Sequence, residues 1–354
     1  MQSVDAVIVG AGPAGLATSR ALTRLGVEHL VLERGDVGHA WRTQRWDNLR
    51  LLTPNWANGL PGAPYWGPSP HGYMAVGELL ARLGAYARFN AIPLRCRTEV
   101  ARVRYLDGRY EIDTSTGRLR ARALILATGA CARAKVPAIA AALPDTLFQT
   151  TTATYKRPED LPQGGVLVVG ASASGVQIAR ELQRSGRDVT LAVGGHTRLP
   201  RRYRGRDIEW WLHTTGVLDE GLDSIDDLER ARRIPSPQLI GGPDPVDLNA
   251  LQALGIRIAG RLADIRDGEA LFSGALAHVC HAADLKMTRL LKAIDSWVVT
   301  ERPDATLTPP DPPAPTAVPP APLLRLSLTD GAIRSVVWAC GYAPDFRFLG
   351  AEVF

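Results

Sequence analysis

The pattern of hydrophobic and polar positions repeats one unit twice, and the second copy begins near the middle of the chain. In each copy an apolar run leads into a glycine-rich turn, an amphipathic stretch of helical periodicity and a second apolar run. This order predicts a strand, a helix and a parallel strand, the unit from which doubly wound sheets are built. The predicted elements are strand 4–9, helix 13–25 and strand 29–33, then strand 166–169, helix 174–184 and strand 188–193. The sequence therefore predicts an α/β fold with two Rossmann-like dinucleotide-binding domains, each with a three-layer ββα architecture.

The segments around the two copies indicate how the domains are arranged. The last two predicted strands are expected to return to the first domain, so the second domain is inserted in the first. The stretch 304–322 is dense in proline and alanine, which favours an extended linker. Shorter strands are predicted at 99–103, 109–113, 118–120, 124–127, 324–328 and 335–339. The predicted boundaries are 1–155 and 323–354 for the first domain, 161–302 for the second and 303–322 for the linker.

The composition of the chain narrows the classes of protein to which it can belong. The net charge is +5, but most of the arginines are dispersed along the chain, so we expect no nucleic-acid partner. No apolar run reaches the length of a membrane span, and a strand that begins by Val4 leaves no room for a signal peptide, so we expect a cytoplasmic protein. No C-x-x-C pair is present, which argues against a zinc ribbon, a disulfide framework and a redox dithiol, and no metal site is predicted. The four cysteines are Cys96, Cys131, Cys280 and Cys340.

The first glycine-rich turn has the G-x-G-x-x-G spacing of a dinucleotide fingerprint. Gly10 permits the tight turn, Gly12 lets the backbone approach a pyrophosphate, and Gly15 lets the helix pack on the strand. Glu33 ends the next strand, where a carboxylate can accept both ribose hydroxyls of a bound dinucleotide. The other candidate cofactor-binding residues at this turn are Ala11, Pro13, Ala14 and Arg34.

The second turn carries the same spacing with Ser172 in place of the middle glycine. Its neighbours Ala173 and Ser174 complete a candidate phosphate site between Gly170 and Gly175. No acid ends the following strand; basic residues follow instead, which suits the 2′-phosphate of NADPH, although a solvated basic loop would have the same composition. If these residues hold the 2′-phosphate, loss of the Arg198 side chain should weaken the binding of NADPH more than the binding of NADH. The basic residues are His196, Arg198, Arg201 and Arg202.

Two further strands end in a turn that contains a small residue and a glycine. These turns are Ala127-Thr128-Gly129 and Ala339-Cys340-Gly341. Small residues at these positions allow either close approach of a cofactor or tight packing of the chain on itself.

The ordered set of motifs resembles the class B flavin-containing monooxygenases and their bacterial relatives. The matching segments are GAGPAG from Gly10, ERGDVGHAWR from Glu33, WDNLRLLTP from Trp46, ATG from Ala127, VLVVGASASG from Val166 and WACGYAPDF from Trp338. PRRYRGRDIEWWL, from Pro200, is similar to a segment of a bacterial subgroup of flavoprotein oxidoreductases. The resemblance spans nearly the whole chain.

This resemblance implies FAD on the first turn and NADPH on the second. Hydride would pass from nicotinamide to flavin, and a flavin C4a-hydroperoxide formed with O2 would oxygenate a small organic substrate. The resemblance also implies that Trp41, Arg42, Val100 and the turn Ala127-Thr128-Gly129 contact FAD. Thr53 and Asn55 are the candidate catalytic residues near the flavin ring, although Asn55 also fits an exposed turn residue after a proline.

Two departures from the family pattern keep a second function open. The family's linker histidine aligns with Thr151, and the chain ends 12 residues after Tyr342, where relatives continue. A shortened flavin pocket favours a flavin-dependent NADPH reductase or oxidase that does not oxygenate. A module that senses dinucleotides without catalysis is a third class. The aromatic side chains that form either pocket walls or core are Tyr65, Trp66, Trp210 and Trp211.

Overall fold

The computed structural model describes residues 2–232, 234–302 and 307–353. The chain forms two compact units, Met1–Ala134 with Tyr342–Phe354, and Lys135–Gly341. The second unit is therefore inserted in the first, and each is described below by itself.

The first unit is built on a six-stranded sheet in the order β3-β2-β1-β6-β5-β4. The first four of these strands pair in parallel, and β5 and β4 add an antiparallel edge. Its elements are β1 (Gln2–Val9), α1 (Pro13–Arg24), β2 (His29–Leu32), α2 (His39–Thr43), α3 (Val76–Phe89), β3 (Leu94–Arg95), β4 (Val100–Leu106), β5 (Arg109–Thr114), β6 (Gly117–Leu126) and β7 (Arg133–Ala134). Because the strand order reverses beside β1, the crevice for a ligand lies at the carboxyl end of β1.

The inserted unit is built on a parallel five-stranded sheet in the order β13-β10-β9-β17-β8. A three-stranded antiparallel sheet, β14-β15-β16, and a short hairpin, β11-β12, accompany it. Its elements are β8 (Phe148–Thr151), β9 (Gly165–Val169), α4 (Ala173–Arg184), β10 (Val189–Ala192), β11 (Arg202–Tyr203), β12 (Arg206–Asp207), α5 (Ile208–Thr214), α6 (Leu228–Ala231), α7 (Leu248–Ala253), β13 (Arg257–Ala259), β14 (Leu262–Arg266), β15 (Glu269–Phe272), α8 (Leu276–Glu301), β16 (Arg325–Ser327) and β17 (Ile333–Trp338).

The last strand, β18 (Tyr342–Ala343), pairs with β7 in the first unit. The predicted fold class, an α/β protein with two Rossmann-like units of which the second is inserted in the first, is confirmed. No helix within the described residues is both long enough and apolar enough to cross a membrane.

The C-terminal strands differ from the sequence-based expectation. We expected both to return to the first unit, but β17 pairs with β9 and β8, and β16 pairs with β15, in the inserted unit. Five of the six residues of β17 are buried, as expected for a central strand covered on both faces. The hydrophobicity of a strand does not by itself determine which of two parallel sheets the strand joins.

The proline-rich segment also differs from expectation, because it joins α8 to β16 within one unit. Residues 303–306 of the predicted linker lie outside the described residues. Residues 307–322 contain no helix or strand and are hydrogen-bonded to the inserted unit. Asn249 Nδ2 donates to the Pro315 carbonyl over 3.0 Å, and Ala317 N donates to Asn249 Oδ1 over 2.8 Å. The segment is therefore a strap along the inserted unit.

Candidate dinucleotide-binding sites

The first fingerprint forms a tight turn between β1 and α1, and we call residues 10–15 the first cradle. Gly10 has φ +110°, a backbone conformation that residues with a side chain rarely adopt. A Cβ on Gly15 would overlap the carbonyl oxygen of Gly10 and would lie 3.3 Å from the Cβ of Ala127. A Cβ on Gly12, in contrast, would meet no protein atom within 4 Å. Gly12 therefore borders open space at the amino end of α1, whose first N–H groups lack helical partners.

Glu33 lies where the fingerprint requires an acid, and its carboxylate is fixed by backbone donors. Ala11 N donates to Glu33 Oε2 over 2.9 Å, and Gly35 N donates to Oε1 over 3.3 Å. The Glu33 carbonyl accepts from the N–H of Thr98 over 2.9 Å, two residues before Val100. Val100 is thus brought near the carboxyl end of β2. Pro13 begins α1, whereas Ala14 and Arg34 are exposed.

The second fingerprint, which we call the second cradle (residues 170–175), repeats this geometry in the inserted unit. Gly170 has φ +114°, and a Cβ on Gly175 would overlap the carbonyl oxygen of Gly170. Ser172 has φ −85° and ψ −176°, against −83° and −174° at Gly12. Serine therefore replaces the middle glycine without a change of backbone. Ala173 and Ser174 form the first turn of α4.

The small residues of the two further turns pack against the cradles. A Cβ on Gly15 or on Gly175 would lie 3.3 Å from the Cβ of Ala127 or of Ala339, respectively. Tight packing therefore explains the two alanines. Thr128 is half-buried and Gly129 is exposed, with open space where a Cβ would be. Contact of Thr128 and Gly129 with a cofactor stays a prediction.

Arg198, predicted to hold a 2′-phosphate, is instead buried between two carboxylates. It is 2% exposed; its Nε and one terminal nitrogen donate to Asp247 Oδ2 over 3.0 and 2.5 Å, and the other terminal nitrogen donates to Asp284 Oδ1 over 2.7 Å. Burial alone would raise the pKa of Asp284, but hydrogen bonds from Thr316 and Arg198 lower it below its usual value. The structure corrects the predicted role, because a guanidinium enclosed in this way is not available to a phosphate.

His196 is also buried, two residues after the glycine that follows β10. Its Nδ1 lies 3.0 Å from the Gly194 carbonyl, which can only accept, so Nδ1 carries the proton. Burial lowers the pKa of His196 below its usual 6.5, so the ring is neutral. Its Nε2 is buried and has no hydrogen-bond partner among the described residues. Neither His196 nor Arg198 fits the alternative of a solvated basic loop.

The predicted flavin-side residues lie on α2 and on the loop after it. Trp41 is half-buried in the core of the first unit, and the guanidinium of Arg45 lies 5.0 Å from its ring centroid. Arg42 is exposed. Thr53 Oγ1 donates to Asn58 Oδ1 over 2.8 Å, so its hydroxyl is engaged within the loop.

Asn55 is 5% exposed, so the alternative of an exposed turn residue is wrong. Its Nδ2 donates to the Ser69 carbonyl over 2.9 Å, and its Oδ1 is buried without a partner among the described residues. One of the two hydrogens of its amide group is therefore engaged within the loop. The role of Asn55 in catalysis stays a prediction.

The aromatic residues predicted as either pocket walls or core divide between core and surface. Trp211 is fully buried, and its Nε1 donates to the Tyr203 carbonyl over 2.7 Å. Trp210 is half-buried with Arg206 over its ring, whereas Trp66 is 86% exposed. Trp211 is therefore part of the core.

A family model described as pyridine nucleotide-disulphide oxidoreductase matches residues 7–215, more than half of the chain, and covers both cradles. The chain belongs to this family. Among curated relatives, an uncharacterized CzcO-like oxidoreductase of Geobacillus kaustophilus is 34% identical over 223 residues, or 62% of this chain and 63% of the relative. Indole-3-pyruvate monooxygenase YUCCA1 of Oryza sativa subsp. japonica is 33% identical over 205 residues, covering 56% of this chain and 50% of the relative. The chain thus spans less than two thirds of the length of these family relatives.

Solved structures confirm the predicted fold. A flavin-containing monooxygenase from Stenotrophomonas maltophilia is 20% identical, with a TM-score of 0.64 over 99% of this chain and 82% of that one. The bacillithiol disulfide reductase of Staphylococcus aureus is 16% identical, with a TM-score of 0.60 over 98% of this chain and 79% of that one. At these identities the likeness shows the fold alone.

Arg261, two residues after β13, is a further candidate residue that the sequence motifs do not reveal. A Cβ built on Gly194 would lie 3.6 Å from Cγ and 3.7 Å from Cδ of Arg261. The aliphatic stem of Arg261 therefore crosses the carboxyl end of β10. Arg261 is exposed, and its guanidinium has no hydrogen bond or ion pair within the described part of the chain. Parallel pairing of β13 with β10 is the signal that would have found it, because their carboxyl ends share one edge.

Proposed function

We propose that this chain is an NADPH-dependent FAD monooxygenase that inserts one oxygen atom of O2 into a small organic substrate. The observation that carries the proposal is a pair of cradles that match in backbone conformation and differ in charge at the ribose position. The first has a fixed carboxylate, Glu33, and the second has none. A protein with two such cradles can hold a flavin dinucleotide and a nicotinamide dinucleotide at once.

The first cradle fits FAD. The open space beside Gly12 lets a pyrophosphate approach the N–H groups at the start of α1, where the helix dipole favours negative charge. The oxygens of Glu33 retain lone pairs that can accept ribose hydroxyls, because each is used by only one backbone donor. Glu33 and the cradle would thus hold the adenosine half of the cofactor.

The second cradle fits NADPH better than NADH. Residues 193–195, which follow β10, contain no acid to accept a 2′-hydroxyl or to repel a 2′-phosphate. Arg261 is an exposed cation at this strand end, so we assign the 2′-phosphate to Arg261 in place of Arg198.

We expect Arg261→Ala to raise the KM for NADPH by about tenfold or more and the KM for NADH by less than about twofold. The reason is the loss of a charge-assisted hydrogen bond, worth about 1.5–3 kcal/mol, from only the phosphorylated ligand. Steady-state oxidation of both nucleotides measures the split. Arg266→Ala, which removes an exposed arginine from β14, is the matched control. Equal changes for both nucleotides would contradict the assignment.

The monooxygenase part of the proposal draws on the relatives. The sequence matches include indole-3-pyruvate monooxygenases, and the fold matches include a flavin-containing monooxygenase. FAD held in the first cradle would supply the redox chemistry, which is hydride transfer from NADPH and reduction of O2. The chain itself holds the two dinucleotides and excludes water from the reacting atoms.

The proposal is tested by the fate of oxygen. With ¹⁸O-labelled O2, NADPH and a panel of small substrates that includes indole-3-pyruvate, we expect one labelled oxygen atom in the product for each NADPH consumed. Mass spectrometry measures the label, and a peroxide assay runs in parallel. Stoichiometric peroxide with no label in any substrate would support the reductase or oxidase alternative. NADPH that is never oxidised would support a dinucleotide sensor.

A further inference from the structure

We propose that one face of the first unit docks on an anionic lipid bilayer. Three projecting apolar side chains would enter the headgroup region, and arginines beside them would contact the lipid phosphates. The inference goes beyond the proposed function, because it concerns a surface outside both cradles. We call this surface the α1–α3 face, and its exposed residues are Leu25, Trp66, Phe89, Arg24 and Arg88.

The apolar members of the α1–α3 face are the three most exposed large hydrophobic residues within the described part of the chain. Phe89 is 89% exposed, Trp66 is 86% exposed and Leu25 is 75% exposed. A side chain with so much of its surface in water touches few protein atoms and therefore projects from the protein. Single exposed apolar residues are common, but a group of them on one surface indicates an interaction site.

The side chain of Arg20 joins α1 to α3 and to the loop 59–66, so the three apolar residues share one face. Its Nε donates to Asn90 Oδ1 over 3.0 Å, and Asn90 directly follows Phe89. A Cβ on Gly62 would overlap a terminal nitrogen of Arg20, so the same guanidinium also lies against the loop.

The loop is fixed along α3 as far as Trp66. The hydroxyl of Tyr86 donates to the Pro61 carbonyl over 3.0 Å, and the guanidinium of Arg82 lies 5.2 Å from the ring centroid of Tyr65. Further prolines at positions 64, 68 and 70 restrict the backbone on both sides of Trp66. The loop therefore presents Trp66 in a fixed position.

The α1–α3 face lies away from the cofactor crevice. Because α1 joins two parallel strands, it runs from the carboxyl edge of the sheet, where the first cradle lies, back to the amino edge. Leu25 is the C-cap of α1, and Phe89 is the last residue of α3, which leads into a strand parallel to β2. Docking through these helix ends would leave the first cradle open to FAD.

The α1–α3 face is positively charged. Arg24 and Arg88 are exposed and have no hydrogen bond or ion pair with any residue in the described ranges. The nearby acids are Glu28, three residues after Leu25, and Glu78, which accepts from Ala75 N over 2.7 Å at the other end of α3. The arginines of the two helices are Arg20, Arg24, Arg82 and Arg88.

Charge and shape together favour a bilayer as the occupant. Two copies of this positive face would repel each other, whereas an anionic membrane surface attracts arginines. Tryptophan and phenylalanine are stable at the level of the lipid headgroups, where an apolar ring can leave water. Side chains that project separately suit a fluid surface that closes around each of them, whereas a protein partner would need a matching pocket for each.

Co-sedimentation of the intact protein with lipid vesicles tests the inference. The probes are vesicles made of equal parts of phosphatidylcholine and phosphatidylglycerol, and vesicles of phosphatidylcholine alone. We expect the parent to bind the anionic vesicles, to be released from them by salt, and to leave the neutral vesicles largely unbound.

Two double variants separate the apolar and the charged contributions. Trp66→Ser with Phe89→Ser should weaken binding to the anionic vesicles about tenfold or more, because two rings no longer leave water. Arg24→Gln with Arg88→Gln should weaken it about tenfold to thirtyfold, as expected for two basic residues near an anionic surface. Because all four positions are exposed, we expect parental melting temperatures and parental FAD content in both variants.

The matched controls change exposed residues of α8 in the inserted unit. Val299→Ser removes an apolar side chain that is 72% exposed, and Arg289→Gln with Lys292→Gln removes two exposed charges. We expect both controls to bind the anionic vesicles like the parent. A parent that stays in solution with both kinds of vesicle, or face variants that bind like the controls, would overturn the inference. A dimer in sedimentation velocity that Trp66→Ser dissociates, without any vesicle binding, would assign the face to a second copy instead.

Discussion

We expect Arg198→Ala to lower the free energy of unfolding of the inserted unit by about 3–5 kcal/mol. The substitution leaves the carboxylates of Asp247 and Asp284, each 16% exposed, without their shared cation. It also loosens the start of α7, because Asp247 Oδ1 accepts from Ala250 N over 3.0 Å, and the strap, because Asp284 accepts from Thr316. Urea unfolding followed by circular dichroism measures the loss.

The control for this prediction is an arginine in an exposed pair. Arg325 is 72% exposed and lies 3.1 Å from Glu269, so Arg325→Ala should cost no more than about 1 kcal/mol. Arg198→Lys should fall between the two, because it keeps the charge and loses the paired donors. An Arg198→Ala variant with parental stability and a selective loss of NADPH affinity would restore the role predicted from the sequence.

The second large effect is expected at Gly12. Gly12→Ala should fold like the parent but bind FAD about tenfold to a hundredfold more weakly, because the added methyl group meets only the space assigned to the pyrophosphate. Ser172 already carries a side chain at the same backbone conformation in the second cradle, so the fold tolerates one. The hydroxyl of a serine can donate to a phosphate oxygen, whereas the methyl group of an alanine can only crowd it. The flavin absorbance per protein and a flavin titration measure affinity, and the melting temperature of the apoprotein reports on the fold.

Gly15→Ala separates the effect on the ligand from an effect on the fold. A Cβ there overlaps the Gly10 carbonyl oxygen, so α1 must move away from β1, and we expect a lower melting temperature as well as loss of FAD. If Gly12→Ala kept parental affinity for FAD, the first cradle would not hold the pyrophosphate as proposed.

The sequence predicted those elements whose cause is local. Helix 13–25 and strand 29–33 match α1 (Pro13–Arg24) and β2 (His29–Leu32) to within one residue at each end. The strands expected at 118–120 and 124–127 form one continuous strand, β6, because β1 pairs with it from Leu119 to Leu126 and holds residues 121–123 in the sheet. The β14–β15 hairpin was not predicted.

The local sequence specifies the two cradles, because a glycine is required wherever the backbone takes a positive φ or lies against a carbonyl, and these requirements act within a few residues. The roles of the charged and polar side chains around them depend on long-range contacts that form only in the folded protein. The carboxylates that enclose Arg198 lie 49 and 86 residues away, and Gln238, whose Nε2 donates to the Ala171 carbonyl, lies 67 residues from Ala171. The sequence of a basic cluster does not determine which of its residues become buried and ion-paired when the chain folds. Arg261 is an exposed cation beside the second cradle because β13 pairs with β10, and that pairing is set by the packing of the whole sheet.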